Sequence, residues 1–408
     1  MSRHNPTQKT MTAKKKLWTA LSSSCRRTDR IRRSLSTQAA EGVAPTTIAF
    51  GSCSDPQLDL SYWDRIRNTR IGRPDLMLFL GDIVYPRNNK TNDQSLTQVY
   101  QTMAKHPSVR RFFDSGIPIL PILDDNDYHY DNGATNNQNH HDMDYSKNLF
   151  LEFFRVDATD ERRIPGRGAY CSRRWGDQLE IIVLDVRRHA TPFRRKTQTT
   201  NNNTHSLCGP YEPCHDTTSS TLLGLHQWQW LEEICWQGPP VRQRILVSPI
   251  QVLPTGHGWD GWHLFPHEQT RLLDLLSGQC SSDNNRGSPP VILLSGDRHF
   301  GACYHFQSSS RGRNSENDST PPKVMTRTTD FWEVTSSSLT HSIPHGLCDG
   351  EWDEQRQVKG PIYENNFGVL ELNNNHNGDQ ESNSISISWH SAQTGKVIDH
   401  VKIPCIDK

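Results

Sequence analysis

Six apolar runs of strand length punctuate the chain from residue 47 onward: TTIAFGSC, DLMLFLGD, IPILPILDD, LEIIVLDVR, QRILVSPIQ and PVILLSGD. They are rich in Ile, Val and Leu and do not alternate strictly, which is how strands covered on both faces read. Between them, LLGLHQWQWLEEICW sets Leu222, Leu225, Trp228 and Leu231 on one expected helical stripe, and FPHEQTRLLDLL opens with Pro266 and Glu268 in a first turn. Near the C-terminus SISISWHS and KVIDHVKI alternate around AQTG and predict a β-hairpin. Polar inserts at about 196–220, 281–289, 307–323 and 373–384 predict surface loops. The pattern is that of a single α/β domain over residues 46–405, preceded by a separate segment over 1–45 and without internal repeats.

Composition changes this picture in two places. Only 33% of the 408 residues are hydrophobic and mean hydropathy is −0.75, so the polar excess has to reside in the inserts if the apolar runs are to build a core. Formal net charge is +0, yet residues 1–45 hold ten Lys/Arg against two Asp/Glu, which leaves the body eight charges negative. An acidic body argues against a nucleic-acid-binding patch and suits a site that concentrates cations. The N-terminal segment is rich in Arg, Ser and Thr, poor in acids, and has no apolar run long enough for a secretory core or a transmembrane span. It reads as a mitochondrial or plastid transit peptide, or as a basic disordered tail. Ten scattered Cys do not fix the compartment. Cys208 and Cys214 would close a short loop, and Asn89, Asn202 and Asn317 would accept glycans, in a secreted protein; chance in an Asn-rich chain accounts for both features equally, and a cytoplasmic protein stays open. Oligomeric state is not encoded in any recognisable pattern.

Candidate chemistry gathers where the apolar runs stop. Cys53, Asp82, Asp124 with Asp125, Arg187 and Asp297 each follow such a run, and in open α/β sheets ligands bind beyond the carboxyl ends of the strands. Singly, each is an ordinary turn residue. FLGDIVY offers Asp82 and Tyr85, a carboxylate able to bridge two cations and a phenol able to bind a hard trivalent one. LLSGDRHF offers Asp297 and His299, whose alternation along an extended chain predicts that both face one side. Cys53 reads either as a small buried hydrophobe or as a ligand approached past Gly51 and Ser52. LDVRRH presents Arg187 and Arg188; strand alternation lets only one point inward, where it would clamp phosphate oxygens. No G-x-S-x-G elbow supports a Ser-His-Asp esterase.

Taken in order, FGSC, W..I....PD..LFLGD..Y, DD.D, LD.R, LLG..Q..WLE, S.IQVLP, W..FP.E..RLL, LLSGDRHF and SS.LTHS resemble the PhoD-like alkaline phosphatase/phosphodiesterase family of metallophosphoesterases over roughly residues 47–372. The resemblance implies a two-sheet α/β sandwich flanked by helices that hydrolyses phosphate mono- or diesters with Fe3+ and Ca2+. Motif by motif, it implies that Cys53, Asp82, Tyr85 and Asp297 serve the iron, that Asp82 also bridges to calcium, and that Asp125, Asp297 and His299 complete the hard-cation side. Arg187 falls on the arginine that holds phosphate, and Trp262 on a segment covering the site, although ordinary core packing explains Trp262 as well. Val186 replaces the usual Thr of that family. The larger departure is DDND, where relatives read DDHD or DDHE: Asn126 cannot transfer a proton at neutral pH. His129 or Asp127 would have to substitute, the substrates would need good leaving groups, or the chain is a weakly active or inactive relative that binds a phosphorylated ligand.

Overall fold

Ile48 and Phe50 of β1 (Thr47–Gly51) belong to one core cluster and Ala49 between them to another, and the same division splits each of the other inner strands. In β2 (Leu76–Leu80), residues 76, 78 and 80 point one way and Met77 and Phe79 the other. That is why these runs are apolar at every position: both faces are covered, as the sequence predicts. The computed structural model describes residues 43–404 apart from 86–87, 90–91, 94, 129–139, 198–208, 238–240, 279–290, 312–325, 347–352, 354 and 375–382. The N-terminal segment, His129, Cys208, Asn202, Asn317 and the Asn89 side chain lie outside what is described.

The first sheet runs β15–β14–β13–β1–β2–β5, with β5 at Ile119–Ile122, β13 at Asn366–Asn374, β14 at Asn383–Ser391 and β15 at Val397–Pro404. The second runs β12–β10–β11–β9–β8–β7–β6, over Gln357–Ile362, Gly301–Arg311, Thr326–Ser336, Val291–Ser295, Gln243–Val247, Leu179–Val183 and Cys171–Trp175 respectively. Two-residue strands β3 (Asn88–Asn89) and β4 (Asn92–Asp93) form a separate ladder. One core lies between the large sheets, joining Phe50, Leu78 and Ile122 to Val183, Val247 and Leu294. A second packs the outer face of the first sheet against α1 (Tyr62–Arg67), α2 (Leu96–Lys105), α3 (Pro107–Asp114) and α4 (His140–Phe153) through Trp63, Met103, Phe112 and Phe150. A third covers the other sheet with α5 (Gly224–Gln237) and α6 (Pro266–Gly278) through Trp228, Leu231, Leu272 and Leu276. The result is the predicted helix–sheet–sheet–helix sandwich, and β14 and β15 are the predicted hairpin, serving as the edge of the first sheet.

Two expectations are corrected. Helix α5 begins at Gly224, after Leu222, and Leu225 is 67% exposed. Residues three apart fall back about 60° per step around a helix, so four of them cannot share a stripe; the buried face is Trp228, Leu231 and Cys235. The polar stretch 307–323 is not all loop, since β10 and β11 pair from Gly301↔Ser336 out to Arg311↔Thr326.

Strands β1, β2 and β5 are mutually parallel, and so are β7, β8, β9 and β11. Their carboxyl ends meet at one seam. Gly296, just past β9, shows how closely: a Cβ there would lie 2.5 Å from Ser52 Oγ and 2.9 Å from the Leu80 carbonyl.

Candidate metal centre

At the end of β2 the chain turns through Gly81 (φ +96°), where a Cβ would come within 2.6 Å of the Asp124 Cβ, so only glycine lets the two strand ends approach. Asp82 follows with φ 53°. Five non-glycine residues among those described have positive φ, and four of them are Cys53, Asp82, Asp297 and His299. Left-handed backbone costs roughly 1–2 kcal/mol per residue, and its concentration here marks a place where surrounding structure imposes side-chain direction. It also corrects the expectation for Asp297 and His299. They do not alternate along an extended strand; consecutive bends aim Asp297 at Arg187 (Nη2 3.5 Å) and His299 at Tyr85 and His341, with ring centroids 6.2 and 4.5 Å away. Arg298 between them lies near the Trp259 and Phe300 rings.

Carboxylate oxygens of Asp82, Asp124 and Asp125 lie within 4.8 Å of one another, all buried. Arg187, also fully buried, is their countercharge: Nε donates to Asp124, Nη1 to Asp260, and Nη2 lies 3.8 Å from Asp125. Arg188 turns away to Asp144, as only one of the pair was expected to enter, though both lie beyond the strand and are oriented by bends instead of strand alternation. Burial raises Asp82 and Asp124 well above the usual carboxylate range, with neighbouring aspartates adding to the rise at Asp82. Burial first, then Asp260, pushes Asp297 up to about 7. Cys53 and Tyr85 are shifted upward too, by burial and then by Asp82. Tyr85 Oη donates to Asp82 Oδ2 at 3.0 Å, and the Cys53 thiol lies 3.2 Å from Ser337 Oγ. Four strand ends thus bring acids, a thiol and a phenol together where burial favours the neutral forms of Asp82, Cys53 and Tyr85 and added positive charge would favour the ionised ones.

The donors fit a cation on two counts. Asp124 Oδ2 and His299 Nδ1 are buried without a hydrogen-bond partner, an arrangement that normally costs about 1–3 kcal/mol per group. Carboxylates with a phenol and a thiol are also the oxygen-rich, partly soft set that binds iron and hard divalent ions.

Asn126 faces the centre. Its Nδ2 donates to Asp82 Oδ2 at 3.1 Å and its backbone N–H to Oδ1 at 3.2 Å. The two oxygens of Asp127, one of the residues considered for proton transfer, accept the backbone N–H groups of Asp82, Ile83 and Asp124 at 2.7, 3.1 and 3.0 Å, tying β2 to β5. Trp262 proves to be core, edge-on to Trp228 with Nε1 donating to Ser248 Oγ.

Three contributors escaped the sequence reading. Asp260 comes from the aromatic loop GHGWDGW, where a lone acid between aromatic residues was the available signal. Asp185 of LDVR accepts Tyr128 Oη at 2.6 Å, Ala169 N at 2.7 Å and the backbone N–H groups of both Arg187 and Arg188, so it sets the arginine loop. His341 of LTHS stands T-shaped to Tyr85 at 5.1 Å.

A two-sheet sandwich with a buried acidic centre at the carboxyl ends of its parallel strands defines the class. The model of the PhoD-like phosphatase family matches residues 48–388, and the chain belongs to that family. Among solved structures, one described as "Structure of PhoD" is 15% identical with a TM-score of 0.57, covering 90% of this chain and 69% of that one. Another, "GAP50 the anchor in the inner membrane complex of Plasmodium", is 13% identical with a TM-score of 0.48 and 90% coverage of both chains. At such identities the likeness concerns the fold. No curated protein matches the chain. No helix among the described residues is long and apolar enough to cross a membrane.

Proposed function

We propose that the protein is a metal-dependent phosphoesterase acting on phosphate mono- or diesters, its residues 46–405 forming the catalytic domain. The observation that carries this is the buried cluster of Asp82, Asp124 and Asp125 at the strand ends, balanced by one guanidinium. By family resemblance Cys53, Asp82, Tyr85 and Asp297 would hold Fe3+, while Asp82, Asp125, Asp297 and His299 would hold Ca2+. Bound ions of this kind supply the positive charge that polarises a phosphoryl group and activates an oxygen nucleophile. Asp124 and Asp260 fix the guanidinium of Arg187 so that its Nη2 edge, toward Asp125 and Asp297, is presented to phosphate oxygens. Asp127 keeps the two strand ends in register. Asn126 orients Asp82 and offers amide hydrogen bonds, but it does not protonate a leaving group, which favours esters whose alcohols leave readily.

Asp297→Ala is expected to reduce hydrolysis of p-nitrophenyl phosphate and bis-p-nitrophenyl phosphate to the buffer rate, with the folded state checked by circular dichroism; full retained activity would remove the assignment. A second reading, a relative that binds a phosphorylated ligand without turnover, is favoured by Asn126 spending its amide on Asp82. Phosphate release by the wild type with excess Fe3+ and Ca2+ separates the two. Residues 1–45 are proposed as an organellar targeting segment, tested by import of a fluorescent fusion.

A further inference from the structure

The aspartates at the strand ends commit their oxygens differently. Asp127 turns both of its oxygens to backbone N–H groups, and Asp82 accepts Tyr85 Oη and the Asn126 amide on Oδ2 and the Asn126 backbone N–H on Oδ1. Asp124 is divided: Oδ1 accepts Arg187 Nε, while Oδ2 is buried and has no hydrogen-bond partner. The residue is held in place. Its N–H donates to Asp127 Oδ2 at 3.0 Å, its carbonyl accepts Tyr128 N–H at 3.2 Å, and its Cβ is packed against Gly81, while the bond to Arg187 fixes the plane of the carboxylate. Oxygens of Asp82, Asp124 and Asp125 lie within 4.8 Å of one another. An ion that bonds oxygen at about 2.3–2.6 Å can touch all three. Since Arg187 occupies Oδ1, Oδ2 is the atom that Asp124 has to give. The guanidinium is shared with Asp260, so it does not balance three carboxylates, and a cation is the partner this corner lacks.

We propose that Asp124 is a metal ligand as well as the acceptor of the arginine: Oδ2 joins Asp82 and Asp125 around one hard divalent ion of the Ca2+ type, while Oδ1 holds Arg187. The ligands implied by family resemblance do not include Asp124. Carboxylate oxygens suit Ca2+ and similar hard ions, which need several of them at once. The ion and the guanidinium that clamps phosphate then share one carboxylate, so the placing of Arg187 depends on the ion. The inference rests on the reading of the site as a metal centre and adds a ligand to it.

The test is calorimetric titration of Ca2+ into the full-length protein stripped of divalent ions, comparing wild type with Asp124→Asn and Asp260→Asn. Asp124→Asn keeps an oxygen for Arg187 Nε and replaces the other with an amide that repels a cation. It is expected to weaken Ca2+ binding by ~10–100-fold or more, the loss found for groups one bond further from a metal. Asp260→Asn removes the same charge from the other side of Arg187, outside the cluster, and is expected to change Ca2+ affinity far less. Equal losses in the two variants would reduce the effect to through-space charge and overturn the proposal, as would an unchanged affinity in folded Asp124→Asn or a wild type that binds no Ca2+. Thermal melts verify folding. If Asp124→Asn does not fold, wild-type crystals soaked in Ca2+ decide: an ion about 2.3–2.6 Å from Asp124 Oδ2 upholds the assignment, and one bound without that contact overturns it. Hydrolysis is scored separately. A wild type that turns over substrate while Asp124 proves irrelevant to Ca2+ loses only this inference, and one that binds Ca2+ through Asp124 without turnover loses only the hydrolase reading.

Discussion

Asn126 is where chemistry at the residue scale departs furthest from the family pattern. Its backbone N–H and side-chain amide both point at Asp82, so the position contributes orientation and neutral hydrogen bonds where an imidazole would contribute a transferable proton. General acid assistance is worth about 100-fold or more when the leaving group is a poor one, and far less when it is stable as an anion. Asn126→His is therefore expected to raise turnover of phenyl phosphate well above any change for p-nitrophenyl phosphate. Equal changes on the two esters would show that position 126 does not reach the leaving oxygen. The residues that meet at this candidate site were largely legible in the chain because Cys53, Asp82, Asp124, Asp125 and Asp297 stand where apolar runs end. The left-handed turns at Asp82 and His299 were not, because they are imposed by contacts from other segments.

At the scale of elements, carboxylates act as joints. Glu268, in the first turn of α6, accepts Thr221 Oγ1 at 2.7 Å, the backbone N–H groups of Leu222 and Leu223 at 2.7 and 3.1 Å, and Trp228 Nε1 at 2.8 Å. One side chain thus starts α6, caps the approach to α5 and anchors the indole that packs on Trp262. Truncating it leaves several buried donors unmet, and Glu268→Ala should cost about 3–5 kcal/mol in denaturant unfolding; a loss under about 1 kcal/mol would show that water replaces it. Asp127 and Asp185 play the same part at the seam, one joining β2 to β5 and the other holding the arginine loop against Tyr128. Sequence marked Glu268 as a helix start, yet it gave no sign of the four partners, which lie 40 to 47 residues away.

Across the whole molecule, buried acid couples stability to pH and, on the proposed reading of the site, to metal. Asp127 and Asp297 are raised to about 8 and about 7, burial being the largest cause, from an unperturbed 3.8. Groups raised in this way favour folding below their unfolded value, and that contribution is lost as pH climbs through the folded one. Metal-free protein should accordingly lose thermal stability between about pH 4 and 8, from the unfolded value up to the folded ones, while protein loaded with the proposed metals should lose less, so the gap between the two melting temperatures widens with pH over that range. Melts with and without chelator across that range check it; a gap that is flat or narrows with pH would mean the carboxylates are already ionised without metal.

What the sequence determined alone was the order of doubly buried strands and the polar residues that end them: covering both faces demands unbroken apolar runs, and chains turn at their ends. Tertiary structure decided which of those residues meet. Arg187 reaches Asp124 across 63 positions and Asp260 across 73, and His341 arrives on a loop after β11 that carries no periodicity. Such pairings depend on two separate sheets packing face to face with their strand ends aligned, a long-range packing event that local pattern does not record.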